Sequence, residues 1–277
     1  MRRGVHDHMV MYSGPMVSMF DGVAVHTSGT GPAMVLLHAN GGDSSDFAAV
    51  RDHLSQRFTV HAVDWPGWGD SRKDATPSAL GYAELLPRLL ERLSGGPFIL
   101  VGNSVGGFAA IQTAVKRPDL VRALILVDPG GFTPRFFGTL AACRAIGSPG
   151  LAPSMMRALP RLYLRRNTAA VRAIRDHAVA MSRDPQRVGA FASVWRSFTD
   201  PDHDARTSAA RVVAPTLLVW GRRDPVLPWL IDGRRARRAL PSARVVTLPC
   251  GHQPFAEMPA EFLSALDGFL SAIPEIH

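Results

Sequence analysis

Phe98-Ile99-Leu100-Val101-Gly102-Asn103-Ser104-Val105-Gly106-Gly107-Phe108-Ala109-Ala110 is the stretch whose reading decides the fold. Its first four residues are apolar and β-prone, which predicts a buried strand over 98–101. From Gly107 the composition becomes small and helix-forming, and Pro118 stops that helix near Arg117 because proline cannot donate to the helical ladder. Between strand and helix stands a serine with glycine two residues away on either side. A strand that turns at once into a helix forces the residue at the corner into a sparsely populated backbone conformation, and flanking side chains would collide with the turn. The corner residue is thereby lifted above the sheet edge, facing the positive N-terminus of the helix. Ser104 is the candidate nucleophile, and the Val105 N–H is a candidate donor to an oxyanion.

Around this centre, strand-like segments at 16–20, 23–26, 34–38, 58–65, 123–127, 216–220 and 244–248 alternate with helical ones such as 78–93 and 259–270. The first two strands are joined by Asp21-Gly22 and read as a hairpin. The rest are near-continuous apolar runs, as expected of strands covered on both faces. The pattern predicts an α/β protein with a mostly parallel central sheet flanked by helices. Residues 130–208 break the rhythm. They hold no buried strand, and Val171, Ile174, Ala178 and Met181 recur at helical spacing. The expectation is a helical cap, 130–208, inserted between strands six and seven of a core formed by 1–129 and 209–277. Such an insert would cover the carboxyl edge of the sheet, where ligands bind in open α/β folds.

A serine hydroxyl is a weak nucleophile until a base takes its proton, and the base must be held by a third group. His252 falls in a short loop between the last strand and the last helix, and Asp224 follows the preceding strand. Asp128, in Val127-Asp128-Pro129-Gly130, is a rival acid that reads as a turn residue.

Four further motifs carry a family resemblance: His38-Ala39-Asn40-Gly41-Gly42, Asp64-Trp65-Pro66-Gly67-Trp68-Gly69-Asp70-Ser71, Gly221-Arg222-Arg223-Asp224-Pro225-Val226-Leu227-Pro228 and Gly251-His252-Gln253-Pro254. In this order, each at the end of a predicted strand, they resemble the α/β-hydrolase fold superfamily, specifically its cap-bearing members with a serine nucleophile. The resemblance implies a triad of Ser104, Asp224 and His252. It implies a second oxyanion donor in the loop after strand three, with Asn40 first and Ala39 next. His38 is read as bracing that loop. Serine at the elbow turns the reading away from epoxide hydrolases and haloalkane dehalogenases, whose nucleophile is aspartate. The implied reaction is hydrolysis of an ester, thioester or lactone through an acyl-enzyme, with no cofactor and no metal. Carbon–carbon bond hydrolases of vinylogous diketones are an alternative, although such relatives carry an aromatic residue where Gln253 stands. Cyclase, lyase and perhydrolase chemistry also occur on this fold, and a ligand-binding protein with slow turnover is the competing class.

Composition bounds the partners. Basic residues number 31 against 23 acidic ones, a net charge of +8, and all but Lys73 and Lys116 are arginine. Residues 130–208 hold 12 arginines against five aspartates and no glutamate. That surplus admits an anionic small-molecule substrate. No basic run is interleaved with aromatics, so nucleic acid is excluded. No apolar run spans a bilayer, and residues 1–8 lack the apolar core of an export signal, so neither a membrane nor export is expected. Cys143 and Cys250 are expected as free thiols in a cytoplasmic protein. In the cap, Phe132, Phe136 and Trp195 are candidate pocket residues, and Arg196 is the candidate anchor for a carboxylate.

Overall fold

The computed structural model describes residues 16–73 and 76–273; the stretch read for an export signal, residues 1–8, lies outside them. Eight strands form one sheet: β1 (Met16–Phe20), β2 (Val23–Ser28), β3 (Ala33–Leu37), β4 (Thr59–Val63), β5 (Phe98–Asn103), β6 (Val121–Val127), β7 (Thr216–Gly221) and β8 (Arg244–Leu248), in the order β1-β2-β4-β3-β5-β6-β7-β8. The β1–β2 hairpin and the β2–β4 pair are antiparallel, and every other pairing is parallel. Strands β3, β5 and β7 are buried along their whole length, which explains their uninterrupted apolar sequences.

From β3 the chain first crosses to β4 on one side, then returns to place β5 on the other. The direction of winding therefore reverses between β3 and β5, and the crevice above that switch point is where such sheets take ligands. The turns after β3 and β5 hold Asn40 and Ser104.

Helices α1 (Ala48–Ser55), α2 (Ala79–Leu90), α3 (Val105–Lys116) and α11 (Pro259–Leu270) flank the sheet. Ser78 caps α2 by accepting the Gly81 N–H at 2.9 Å, satisfying a donor the helix itself cannot. Phe108 and Ile111 of α3 are fully buried, each contributing roughly 1.5–3 kcal/mol of hydrophobic stabilisation.

Between β6 and β7 run α4 (Phe137–Ile146), α5 (Ala152–Tyr163), α6 (Ala169–Met181) and α7 (Pro185–Ser197), followed by the short α8 (Arg206–Ala209). Polar bonds fasten them to the loops at the sheet edge. The Arg187 guanidinium of α7 donates to the Gly67 carbonyl at 2.9 Å and the Gly69 carbonyl at 2.5 Å. His177 of α6 meets Asp43 at 2.6 Å. The Asp64–Ser71 motif is a structural turn: the Asp64 carboxylate accepts the Ser44 and Asp70 N–H groups, each at 2.8 Å.

Candidate active site

Ser104 sits between β5 and α3 with φ 55° and ψ −116°, the strained corner its flanking glycines imply. Those glycines are required by contact. A Cβ on Gly102 would lie 2.6 Å from the Gly106 carbonyl oxygen, and one on Gly106 would lie 2.4 Å from the Leu37 carbonyl oxygen. The corner is held by the Ser104 N–H donating to Val127 and by the Ser104 carbonyl accepting from Phe108 and Gly130.

The turn after β7 presents Asp224 and the turn after β8 presents His252, both buried. His252 Nδ1 lies 2.6 Å from Asp224 Oδ2, while Asp224 Oδ1 accepts the N–H groups of Val226 at 2.8 Å and Leu227 at 3.2 Å. With its other oxygen committed to two backbone donors, the Asp224 carboxylate has a fixed orientation. It calls for the His252 tautomer with its proton on Nδ1, leaving Nε2 free to take a proton.

Asp128, after β6, is also buried and adopts φ 41°. Its two oxygens accept the Gly221 N–H at 3.0 and 3.3 Å, not a histidine. Burial, and then the neighbouring Asp224 charge, push its carboxyl well above the usual range.

His38 is fully buried: Trp65 N–H donates to its Nε2 at 3.0 Å, and its Nδ1 donates to the Ala39 carbonyl at 2.7 Å. Those two partners dictate a neutral imidazole, in line with a pKa lowered by burial. The ring braces the loop, as its sequence context suggests. Among the described residues, no protein acceptor takes the N–H of Asn40 or of Val105. The Asn40 side chain donates instead to the Phe191 carbonyl of α7 at 3.2 Å.

Two supporting residues escaped the sequence reading. Asn103 Nδ2 donates to the carbonyls of Val127 at 2.9 Å and His252 at 3.1 Å. Glu257, in the short helix α10 (Pro254–Glu257), accepts the N–H groups of Gly251 at 3.0 Å and Arg165 at 2.6 Å, clamping the histidine loop to the end of α5. Asn103 lies inside the elbow motif, where that position is degenerate, and Glu257 has no local signature.

Ser104, Val105, Ala39, Asn40 and His252 all border one cavity of about 360 Å³, with mainly apolar walls from α4, α5 and α7. Trp195 lines it, as expected of that residue. Three expectations about the pocket need correction. Arg196, the neighbour of Trp195, turns away and donates to the Gly147 carbonyl, because adjacent helical residues point about 100° apart. Phe132 is fully buried beside the cavity, outside its lining. Phe136 stands in solvent. The arginine that does reach the wall is Arg135, pinned by the carbonyls of Phe198 at 3.2 Å and Thr199 at 2.8 Å.

Residues 34–265 match the model of the Alpha/beta hydrolase family. The chain belongs to this family. It is 31% identical over 265 residues to the pimeloyl-(acyl-carrier protein) methyl ester esterase of Nitrosomonas europaea, covering 88% of this chain and 98% of that protein. The esterase of the same description from Chromobacterium violaceum is 30% identical, over 87% of this chain and 95% of that one. Among solved structures, a membrane phospholipase A described as a bacterial virulence factor superposes with a TM-score of 0.78 at 26% identity, covering 94% and 86% of the two chains. A thermophilic esterase from Thermogutta terrifontis shares the fold, with a TM-score of 0.78 at 22% identity and coverage of 94% and 98%.

Proposed function

We propose that this member of the alpha/beta hydrolase family cleaves carboxylic esters of apolar acyl chains through an acyl-enzyme on Ser104. The observation that carries the reading is the 2.6 Å His252–Asp224 pair, set on the same cavity as the strained serine corner. Ser104 Oγ attacks the ester carbonyl as His252 Nε2 takes its proton, and Asp224 stabilises the imidazolium. The oxyanion receives the Val105 N–H at the positive end of α3 and the N–H of Asn40, with Ala39 the alternative donor. Collapse of the tetrahedral intermediate expels the alcohol, which takes the proton back from His252. A water molecule, deprotonated by the same histidine, then releases the acid. No step requires a metal or an organic cofactor.

The cavity suits a small to medium acyl group, since its size falls at the low end for ligand sites and its walls are mainly apolar. The relatives from Nitrosomonas and Chromobacterium are named for a methyl ester of a carrier-bound acyl chain, which makes methyl esters the first substrates to try. A cytoplasmic location is part of this reading, and Cys143 and Cys250 are free thiols.

The test is intact-mass labelling with a fluorophosphonate, followed by a panel of p-nitrophenyl and methyl esters of rising chain length beside a dienoic diketone. The expected result is a single adduct, absent in Ser104→Ala, with turnover confined to the esters. An unlabelled Ser104, or a Ser104→Ala variant as active as the wild type, overturns the acyl-enzyme. Faster turnover of the diketone moves the chemistry to carbon–carbon cleavage.

A further inference from the structure

Four large apolar side chains stand in water beside the cavity. Phe136 and Phe137 are 58% and 85% exposed, and Leu230 and Ile231 are 65% and 49% exposed. Two bonds tie the segments that carry them. Thr133 Oγ1 donates to Asp232 Oδ1 at 2.5 Å, and Arg235 Nε donates to the Phe132 carbonyl at 2.6 Å. Both segments also wall the cavity, one through Thr133 to Arg135 and the other through Pro225 to Leu227. Single exposed hydrophobes are ordinary, but a group of them at the edge of a ligand cavity marks a surface that meets something apolar.

The charge beside them has one sign. Arg234, Arg237 and Arg238 of α9 (Arg234–Ala239) line a groove with Trp229. Spacings of three and four residues set the three guanidinium groups along one helix face. Among the described residues, no carboxylate or carbonyl engages any of them. The two nearby acids of this stretch, Asp224 and Asp232, are buried and already bonded to His252 and Thr133.

We propose that this face docks the protein, cavity side down, on an anionic lipid bilayer. Phe136, Phe137, Leu230 and Ile231 enter the headgroup boundary, and the arginine groove pairs with lipid phosphates. Exposed Phe, Leu and Ile tips beside unpaired arginines are the composition of an interfacial contact, where apolar groups sink a few ångströms and arginines snorkel to the phosphates. The contact is peripheral: none of the described helices is long and apolar enough to cross a membrane. It departs from the sequence-based expectation of no membrane partner, because folding brings together segments nearly a hundred residues apart. Its use rests on the ester hydrolase reading, since a lipid-borne apolar ester would then arrive at the cavity.

Co-sedimentation of the purified protein with vesicles tests it, using phosphatidylcholine alone and phosphatidylcholine mixed with phosphatidylglycerol. Binding is expected to the anionic vesicles only, and to weaken as salt rises. The triple variant Arg234→Gln, Arg237→Gln, Arg238→Gln should lose on the order of 100-fold in partitioning. Phe137→Ser with Leu230→Ser should lose at least about tenfold at unchanged melting temperature. Equal binding to both vesicle types, no binding to either, or wild-type binding by both variants overturns the proposal. Binding to soluble polyglutamate but not to vesicles overturns it in favour of an acidic protein partner. Hydrolysis of a soluble ester in the same preparations separates the two readings, because docking can fail while turnover stands.

Discussion

The Asn103 side-chain amide donates to the main-chain carbonyl of His252 at 3.1 Å, bridging 149 residues of sequence between the elbow and the histidine loop. Asn103, the residue before Ser104, thus sets the height at which His252 hangs above that serine. The same amide holds the Val127 carbonyl at the end of β6, so three strand ends are gauged against one side chain.

Asn103→Ala removes that gauge and takes the amide donor from the His252 carbonyl, while the Val127 carbonyl keeps the Ser104 N–H. The expected outcome is a fall in kcat of roughly 10- to 100-fold with KM little changed, because misplacement of a catalytic group by about an ångström has that effect. Thermal melts should show a loss of about 1–3 kcal/mol. A variant that raises KM and leaves kcat intact would place Asn103 in substrate binding instead.

Asp128 and Asp224 offer a direct test of which carboxylate serves the base. Burial and the Asp224 charge raise the Asp128 carboxyl well above the usual range, and Asp128→Asn puts a neutral amide of nearly the same shape in its place. Its kcat is expected within a few-fold of the wild type. Asp224→Asn should lose about 10⁴-fold, as expected when the histidine is left in the wrong tautomer. The reverse ranking would assign the triad acid to Asp128.

His177 and Asp43 join α6 to the loop that carries Asn40. The hydrogen bond His177 donates to Asp43 raises the His177 pKa; burial alone would raise Asp43, but the imidazole overrides it and lowers its carboxyl. The pair's contribution is complete below about pH 6.5, the ordinary histidine value, and fades as pH rises through the elevated His177 value. His177→Ala should therefore melt lower than the wild type at pH 6 and approach it above pH 8, the gap being about 1 kcal/mol or less at this half-exposed site. Melting curves at the two pH values decide it, and a gap that widens with pH would refute the ion pair.

The sheet and the corner at Ser104 were legible because their causes are local: strands covered on both faces must be apolar throughout, and glycines that touch backbone carbonyls cannot be replaced. Asp224 and His252 were legible through spacing at strand ends. The cavity wall was not. Arg196 was paired with Trp195 by adjacency, yet a helix turns neighbours to different faces, and Arg135 reached the wall from a loop without periodicity. Asn103 and Glu257 act through bonds to main-chain atoms of distant residues, which no sequence pattern displays. The exposed group of Phe136, Phe137, Leu230 and Ile231 exists only once Thr133 meets Asp232.

Asp46 makes the stability of the histidine loop depend on pH. It is buried, and its Oδ2 accepts from Gln253, the residue after His252, at 3.1 Å. Its Oδ1 has no partner among the described residues. Burial first, and then the Asp43 charge, raise its pKa to about 8. The unfolded chain releases that proton near pH 4. Between about pH 4 and 8 the folded state therefore binds more protons than the unfolded one, and stability falls as pH rises, by up to about 1.4 kcal/mol per pH unit. Asp46→Asn keeps the shape of the protonated acid and cannot ionise. It should melt with the wild type near pH 4 and above it at pH 8, with the difference growing steadily between. Calorimetric melts across that range measure the slope. A constant offset between the two proteins would show that Asp46 is ionised in the folded state, held by some donor other than Gln253.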